Sequence, residues 1–304
     1  MQAASAIDFL ADKSGLSKAR IKDAMNKGAV WIGPVPGKKN VANKNKRLRR
    51  ATQSLLPGQK IWLYYDADIL SEKPPQALLL KDFRQYSVWH KPAGLLSQGT
   101  FFGDHASLLR FAEKQFERRE CYLVHRLDRE ASGIMLIAHT KKAAAKLSQL
   151  FAGRDLEKIY EVQVLGNASH VGEDNPKVKL ISSDLGKDTS ALPSAVAQPK
   201  YLIDSPLEGK ASSTVFTVES FDANTNTSTL RVAILTGRKH QIRRHLAHIG
   251  FPIMGDPKYG KGNKNESGLA LKAVSLRFVC PIANVERHFQ LSQLMPAGCD
   301  GFVG

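Results

Sequence analysis

The chain has 304 residues, 42% of them hydrophobic, which is enough for a sizeable core and more than one compact domain usually holds. Its 44 Lys and Arg against 28 Asp and Glu leave a net charge of +16, a self-repulsion that a polyanion relieves, so nucleic acid is the expected partner. No apolar run approaches the ~20 residues that cross a bilayer, which excludes a spanning helix and leaves no membrane partner expected. Cys121, Cys280 and Cys299 are odd in number and far apart, so neither a disulfide framework nor a cysteine metal site is expected. Asp8 and Asp12 sit among the first apolar residues, unlike a secretory leader, and a reducing cytoplasm is the expected location.

Residues 1–66 read as a small α/β unit. Ser17 is placed to cap a helix in which Ile21, Ala24 and Met25 recur at helical spacing, and Gly28 is placed to end it. Lys18 and Arg20 lie on its polar side. A strand over 29–32 follows, then the acid-free run holding Lys38, Lys39, Lys44, Lys46, Arg47, Arg49 and Arg50. Pro57-Gly58 turns the chain into a second strand near Ile61-Trp62-Leu63. These cations suit phosphates, which supply affinity and salt dependence rather than sequence reading. The order of helix, cationic helix, glycine, strand and Pro-Gly turn resembles the alpha-L RNA-binding domain first known from a ribosomal protein, although the segment 34–50 is longer than that pattern has. Residues 67–84, with Lys73-Pro74-Pro75, read as a linker, and 85–304 as the large domain.

Tyr86–His90 alternates as a strand and runs into a Pro/Gly loop around Lys91. A helix is expected over 105–118. Then comes Val124-His125-Arg126-Leu127-Asp128-Arg129-Glu130-Ala131-Ser132-Gly133, a polar cluster ahead of the apolar run Ile134–Ala138, which reads as a buried strand. Asp128 lies between Arg126 and Arg129, on a loop that a strand holds in place, where chemistry is often found. A helix is expected from Lys141 to Phe151 and a strand over 158–164, on which Tyr160, Val162 and Val164 share a face. Residues 167–200 read as a polar surface excursion. Strands over 211–218 and 229–235 form a hairpin, and a helix is expected to start at Thr236-Gly237, burying Ile242, Leu246 and Ile249. Arg243, at the margin of that stripe, needs a buried anionic partner. His240, His245 and His248 lack the spacing and companions of a metal site, so no metal is expected.

Lys91-Pro92-Ala93-Gly94, His125-Arg126-Leu127-Asp128 with Ser132-Gly133, Lys158-Ile159-Tyr160, Thr236-Gly237-Arg238-Lys239-His240-Gln241-Ile242-Arg243 and the stretch Gly250–Gly260 occur in that order. Together they resemble the RluA-type family of RNA pseudouridine synthases over roughly 86–290. Ala131 stands where that family typically has Thr, and 167–200 is longer than its usual connection. The resemblance implies an α+β fold with a central, largely antiparallel mixed sheet flanked by helices and loops. It implies an enzyme that turns uridine into pseudouridine in RNA without a cofactor; a monomer is expected, and the upstream RNA-binding unit favours ribosomal RNA over transfer RNA. Asp128 would be the carboxylate acting at the ribose, Arg243 its ion-pair partner, and Tyr160 the ring against the uracil. Arg126 would stand in for the displaced base, Arg238 and Lys239 would contact phosphates, and Lys91 is read either as a phosphate contact or as an ordinary loop cation. The competing reading is a non-catalytic RNA-binding or ribosome-assembly protein using the same cleft. A glycosidase is the weaker reading, since no second carboxylate is expected to pair with Asp128.

Overall fold

The computed structural model describes residues 5–35, 44–169, 171, 175–181, 199–260, 263 and 265–296; Lys38 and Lys39 lie outside them. The chain forms two compact units, Met1–Pro75 with Leu96–Glu117, and Gln76–Leu95 with Arg118–Gly304. No helix among the described residues is long and apolar enough to cross a membrane.

The first unit starts with α1 (Ala6–Ser14) and α2 (Lys18–Asn26), capped by the hydroxyls of Ser5 and Ser17, which accept from Asp8 N–H and Arg20 N–H. Strands β1 (Val30–Ile32), β2 (Lys46–Arg47) and β3 (Ile61–Leu63) form an antiparallel sheet in the order β2-β1-β3. Leu10, Ile21, Ala24, Met25, Val30 and Leu48 close a core with Ile61 and Leu63 against it. The linker expected over 67–84 holds the short helix α3 (Ala67–Ser71), whose Leu70 joins that core. The segment expected to belong to the large domain at 96–117 packs in this unit, with α4 at Leu108–Gln115.

The second unit is built on β4 (Leu78–Asp82), β5 (Tyr86–Lys91), β6 (Tyr122–Leu123), β7 (Ser132–Ala138), β8 (Leu156–Leu165), β9 (Lys179–Ile181), β10 (Lys200–Asp204), β11 (Ser213–Asp222), β12 (Thr227–Ile234), β13 (Leu271–Val279) and β14 (Glu286–Gln290). These form an 11-stranded sheet ordered β4-β5-β7-β13-β8-β12-β11-β10-β9, with β14 on β13 and β6 on β7. Every pairing is antiparallel except β7 with β13. The expected α+β fold with a largely antiparallel mixed sheet is therefore present. Helices α5 (Lys141–Gly153), α6 (Gln241–His248) and α7 (Leu291–Leu294) complete the unit. Ile134, Leu136 and Ala138 of β7 meet Ala143, Leu147 and Leu150 of α5 in one core, so the apolar run after Gly133 is a buried strand. Part of the 167–200 excursion is β9, paired to β10.

Helix α6 starts four to five residues later than its sequence suggests. The Gln241 side chain takes up the Thr236 hydroxyl (2.6 Å) and the Arg238 amide (3.1 Å), closing a turn in place of helix. His240 then sits in the left-handed region at φ 54°, which no right-handed helix can run through.

Candidate active site

One row across the sheet sets the floor of the site. Lys91 of β5 lies opposite Gly133 of β7, Gly133 opposite Ala273 of β13, Ala273 opposite Tyr160 of β8, and Tyr160 opposite Val232 of β12. Residues in register share a face. The smallest side chains of the row thus lie between Lys91 and Tyr160. Gly133 is required there: at φ 121°, a Cβ would stand 2.3 Å from Ala273 O.

The loop before Gly133 is tied down at several points. His125 is stacked on Phe151 with ring centroids 4.1 Å apart, and its Nε2 accepts the Leu136 amide at 3.0 Å. Burial, helped by the charge of Lys158, holds the imidazole well below its ordinary pKa, so it is a neutral acceptor. The Arg129 carbonyl accepts from Gly94 N–H (2.8 Å) and from Lys91 Nζ (3.2 Å). Lys91 Nζ also donates to Pro92 O (3.0 Å) and Leu95 O (2.7 Å), and the side chain is fully buried. The expected phosphate contact at Lys91 is therefore corrected: its three donors fasten two loops together and do not reach solvent. Burial drives its pKa down to about 7, against the opposing pull of Glu130 and Asp128.

Asp128 rises from this loop with its side chain 21% exposed. Its Oδ2 lies 3.3 Å from Arg243 Nη1, so the two residues paired in the sequence reading do meet. The main partner of Arg243 is a different acid, Asp256. Arg243 Nε and Nη2 each donate to Asp256 at 2.8 Å, in a bidentate pair whose two side chains are 2% and 0% exposed. Asp256 Oδ1 also accepts the amides of Lys258 (2.8 Å) and Tyr259 (3.0 Å). Burial opposes its charge, but Arg243 and these amides outweigh it and keep the carboxyl below its usual range. Arg243 loses solvation too, yet Asp256 and Asp128 hold its pKa above the ordinary value.

A third acid stands in the cluster. Glu130, which the sequence left without a role, places Oε2 3.3 Å from the same Arg243 Nη1. Nη1 is thus shared by Asp128 and Glu130, while the rest of the fork belongs to Asp256. On the other oxygen of Asp128, His240 Nε2 lies 3.8 Å from Oδ1, and His240 Nδ1 is 3.1 Å from the Tyr259 hydroxyl. Tyr160 is 5% exposed; burial and then the charge of Asp128 push its phenol above the ordinary pKa, so it keeps its proton. Nothing in local periodicity singles out Asp256, His240 or Tyr259. The need of Arg243 for a buried anion was the one available signal, and Asp256 lies in the Gly250–Gly260 motif.

The remaining expected contacts separate into two groups. Arg126 and Lys239 are exposed, and Arg238 donates from Nε to Ala211 O at 3.2 Å. In the first unit Lys18, Arg20, Lys44, Lys46 and Arg50 are exposed, with Lys18 Nζ 2.6 Å from Asp8. Arg47 and Arg49 are instead held inside that unit. Both pair with Asp104, Arg47 also bonds Gly28 O and Thr100 O, and Arg49 donates to Asn26 O at 2.8 Å. These contacts hold both guanidinium groups in place, with the side chains 18% and 28% exposed. Three cysteine, histidine or acidic groups at metal-binding spacing do not occur among the described residues.

Residues 85–248 match the family described as RNA pseudouridylate synthase. Over 217 residues the chain is 33% identical to a dual-specificity RNA pseudouridine synthase RluA of Vibrio vulnificus, covering 69% of this chain and 78% of that one. Over 246 residues it is 28% identical to the ribosomal large subunit pseudouridine synthase D of Pseudomonas aeruginosa, covering 80% and 69%. The solved structure of human RNA pseudouridylate synthase domain containing 1 aligns with a TM-score of 0.51 at 23% identity, over 71% of this chain and 85% of that one, and shares its fold. The chain belongs to the RluA-type family of RNA pseudouridine synthases, enzymes that isomerise uridine within RNA.

Proposed function

We propose that Asp128 is the carboxylate that opens the reaction at the ribose. The isomerisation breaks the bond from C1′ to N1, turns the uracil and joins C5 to C1′, and the proton leaving C5 balances one gained at N1. The observation that carries the reading is the placement of the Asp128 carboxylate. It is partly open, sits on a loop fastened by Lys91 and His125, and faces an Arg243 already oriented by Asp256. A carboxylate beside a fixed guanidinium can attack C1′ or take the 2′ proton, and both routes begin with the same group. Arg243, 3.3 Å away, holds that group in place. Tyr160, held as a phenol, offers its ring face to the uracil. Arg126, exposed on the Asp128 loop, takes the place of the base drawn out of its stack.

Ribosomal RNA is the preferred substrate over transfer RNA. The relative named for the large ribosomal subunit aligns over 80% of this chain, and the upstream unit adds cations suited to a large folded RNA. Asp128→Asn tests the chemistry: binding of RNA is retained within a few-fold while pseudouridine formation, read by mass spectrometry of digested RNA, is lost. A variant that still makes product would overturn the assignment. Comparing pseudouridine maps of ribosomal and transfer RNA with and without the gene tests the substrate.

A further inference from the structure

In the first unit, Thr100 and Gly103 close a two-residue hairpin, with Thr100 N–H donating to Gly103 O at 2.8 Å and Gly103 N–H to Thr100 O at 3.3 Å. Its two tip positions are Phe101 and Phe102, which are 58% and 40% exposed. Tip positions ordinarily carry Gly, Asn, Asp or Ser, since they are solvated and often need unusual backbone angles. Two adjacent phenylalanines there hold apolar surface in water, a departure from local rules of the kind found at functional sites.

The tip is also held firmly. Asp104, the next residue, donates its amide to Lys27 O at 2.8 Å, and its carboxylate is clasped by Arg47 and Arg49. Behind it, Trp31 Nε1 donates to Phe101 O at 3.1 Å. The ring of Phe101 lies 5.4 Å from Trp31 and 5.3 Å from Tyr64, and that of Phe102 lies 5.8 Å from Tyr64. Trp31 is paired across the sheet with Trp62 and with Arg47, whose guanidinium is 4.4 Å from its ring. The face of β1 and β3 opposite the core is thus aromatic and ends in two open rings. The unit that presents them holds 16 Lys and Arg against 9 Asp and Glu. Lys44, Lys46 and Lys60, in or beside β2 and β3, are exposed. Open aromatic rings among cations are what a single-stranded nucleic acid uses, since every base has a face to stack and every nucleotide a phosphate.

We propose that the Phe101–Phe102 tip is a stacking site for an unpaired nucleotide of the RNA, separate from the uridine that reacts. It adds affinity for single-stranded segments without reading their sequence. Its rings are pre-positioned by Trp31, Tyr64 and Asp104, so little ordering is spent on binding.

The test uses the full chain and two fluorescein-labelled probes without uridine, so the reacting site is not engaged: a 12-nucleotide oligoadenosine and a duplex of guanosine and cytidine. Phe101→Ala with Phe102→Ala should weaken the oligoadenosine roughly ten-fold and the duplex less than two-fold. Phe101→Tyr with Phe102→Tyr should bind as wild type, while the Leu pair, which keeps the apolar bulk but not the ring face, should bind like the Ala pair. Circular dichroism melts of all variants confirm folding. An oligoadenosine affinity unchanged in the Ala pair, or restored by Leu, overturns the proposal. So does sedimentation showing that wild type self-associates through these rings and the Ala pair does not.

Discussion

A guanidinium that is 2% exposed cannot stand unpaired, and at Arg243 three carboxylates share the task unequally. Asp256 is wholly buried and makes both short bonds, so it orients the fork; Asp128 and Glu130, more open, meet only Nη1. Asp256→Ala should therefore cost about 3–5 kcal/mol of stability, read by urea unfolding, because it strands a buried charge. Glu130→Gln should leave stability within about 0.5 kcal/mol, because its side chain is 40% exposed and Asp256 and Asp128 still pair Arg243. Lys91 supplies a pH signature. Burial lowers its folded pKa to about 7, while the unfolded chain titrates near the ordinary ~10.4. Between these values the unfolded state binds more protons, so stability from this group rises with pH, being lowest below about pH 7 and complete above the unfolded value. The stability of wild type minus Lys91→Met should climb between pH 7 and 10. A flat difference would mean that the three carbonyls keep the ammonium charged throughout.

Among the elements, β7 joins the chemistry to the core. Its apolar residues were legible as a short run bounded by polar residues, because a strand buried on both faces has no alternation to show. Its first two residues make the parallel pairing to β13, and Gly133 allows the strands to approach. Gly133→Ala should lose on the order of 3 kcal/mol and depress turnover with it, since the Cβ would displace the Ala273 backbone beneath the site. Gly209→Ala is the control. At φ 72° with no atom within 4 Å of a built Cβ, it should cost only about 1 kcal/mol. Differential scanning calorimetry separates the two. The start of α6 was less legible, because a Thr-Gly pair reads locally as a helix entry. A side chain five residues on, Gln241, captures that turn and delays the helix.

For the whole molecule, the two compact units do not follow the chain in simple succession. Residues 96–117 join the first, where Asp104 takes up the arginines that a sequence reading assigns to phosphates. Deleting residues 1–66 would strip Trp31, Tyr64, Arg47 and Arg49 from that segment, so truncation is a poor test of RNA binding by the unit. Lys44→Gln with Lys46→Gln is a better one. Each exposed cation that meets a phosphate should reduce the slope of log affinity against log salt by about 1, leaving turnover at saturating RNA unchanged. An unaltered slope would remove both residues from the interface.

The family, the excess of positive charge and the residues Asp128, Tyr160 and Arg243 were all legible in the amino-acid sequence. Those features rest on contiguous motifs, on charge and on residue chemistry, none of which needs a partner distant in the chain. Which cations are already paired became visible only in the fold. Lys91 is spent on three carbonyls and Arg47 and Arg49 on Asp104, because pairing depends on what the fold brings within a few ångströms. The fold likewise decided that Asp256 orients Arg243, that Glu130 and His240 flank Asp128, and that two phenylalanines stand open at a hairpin tip. Ion pairs and exposed rings are relations between segments far apart in sequence, and a local pattern carries no record of them.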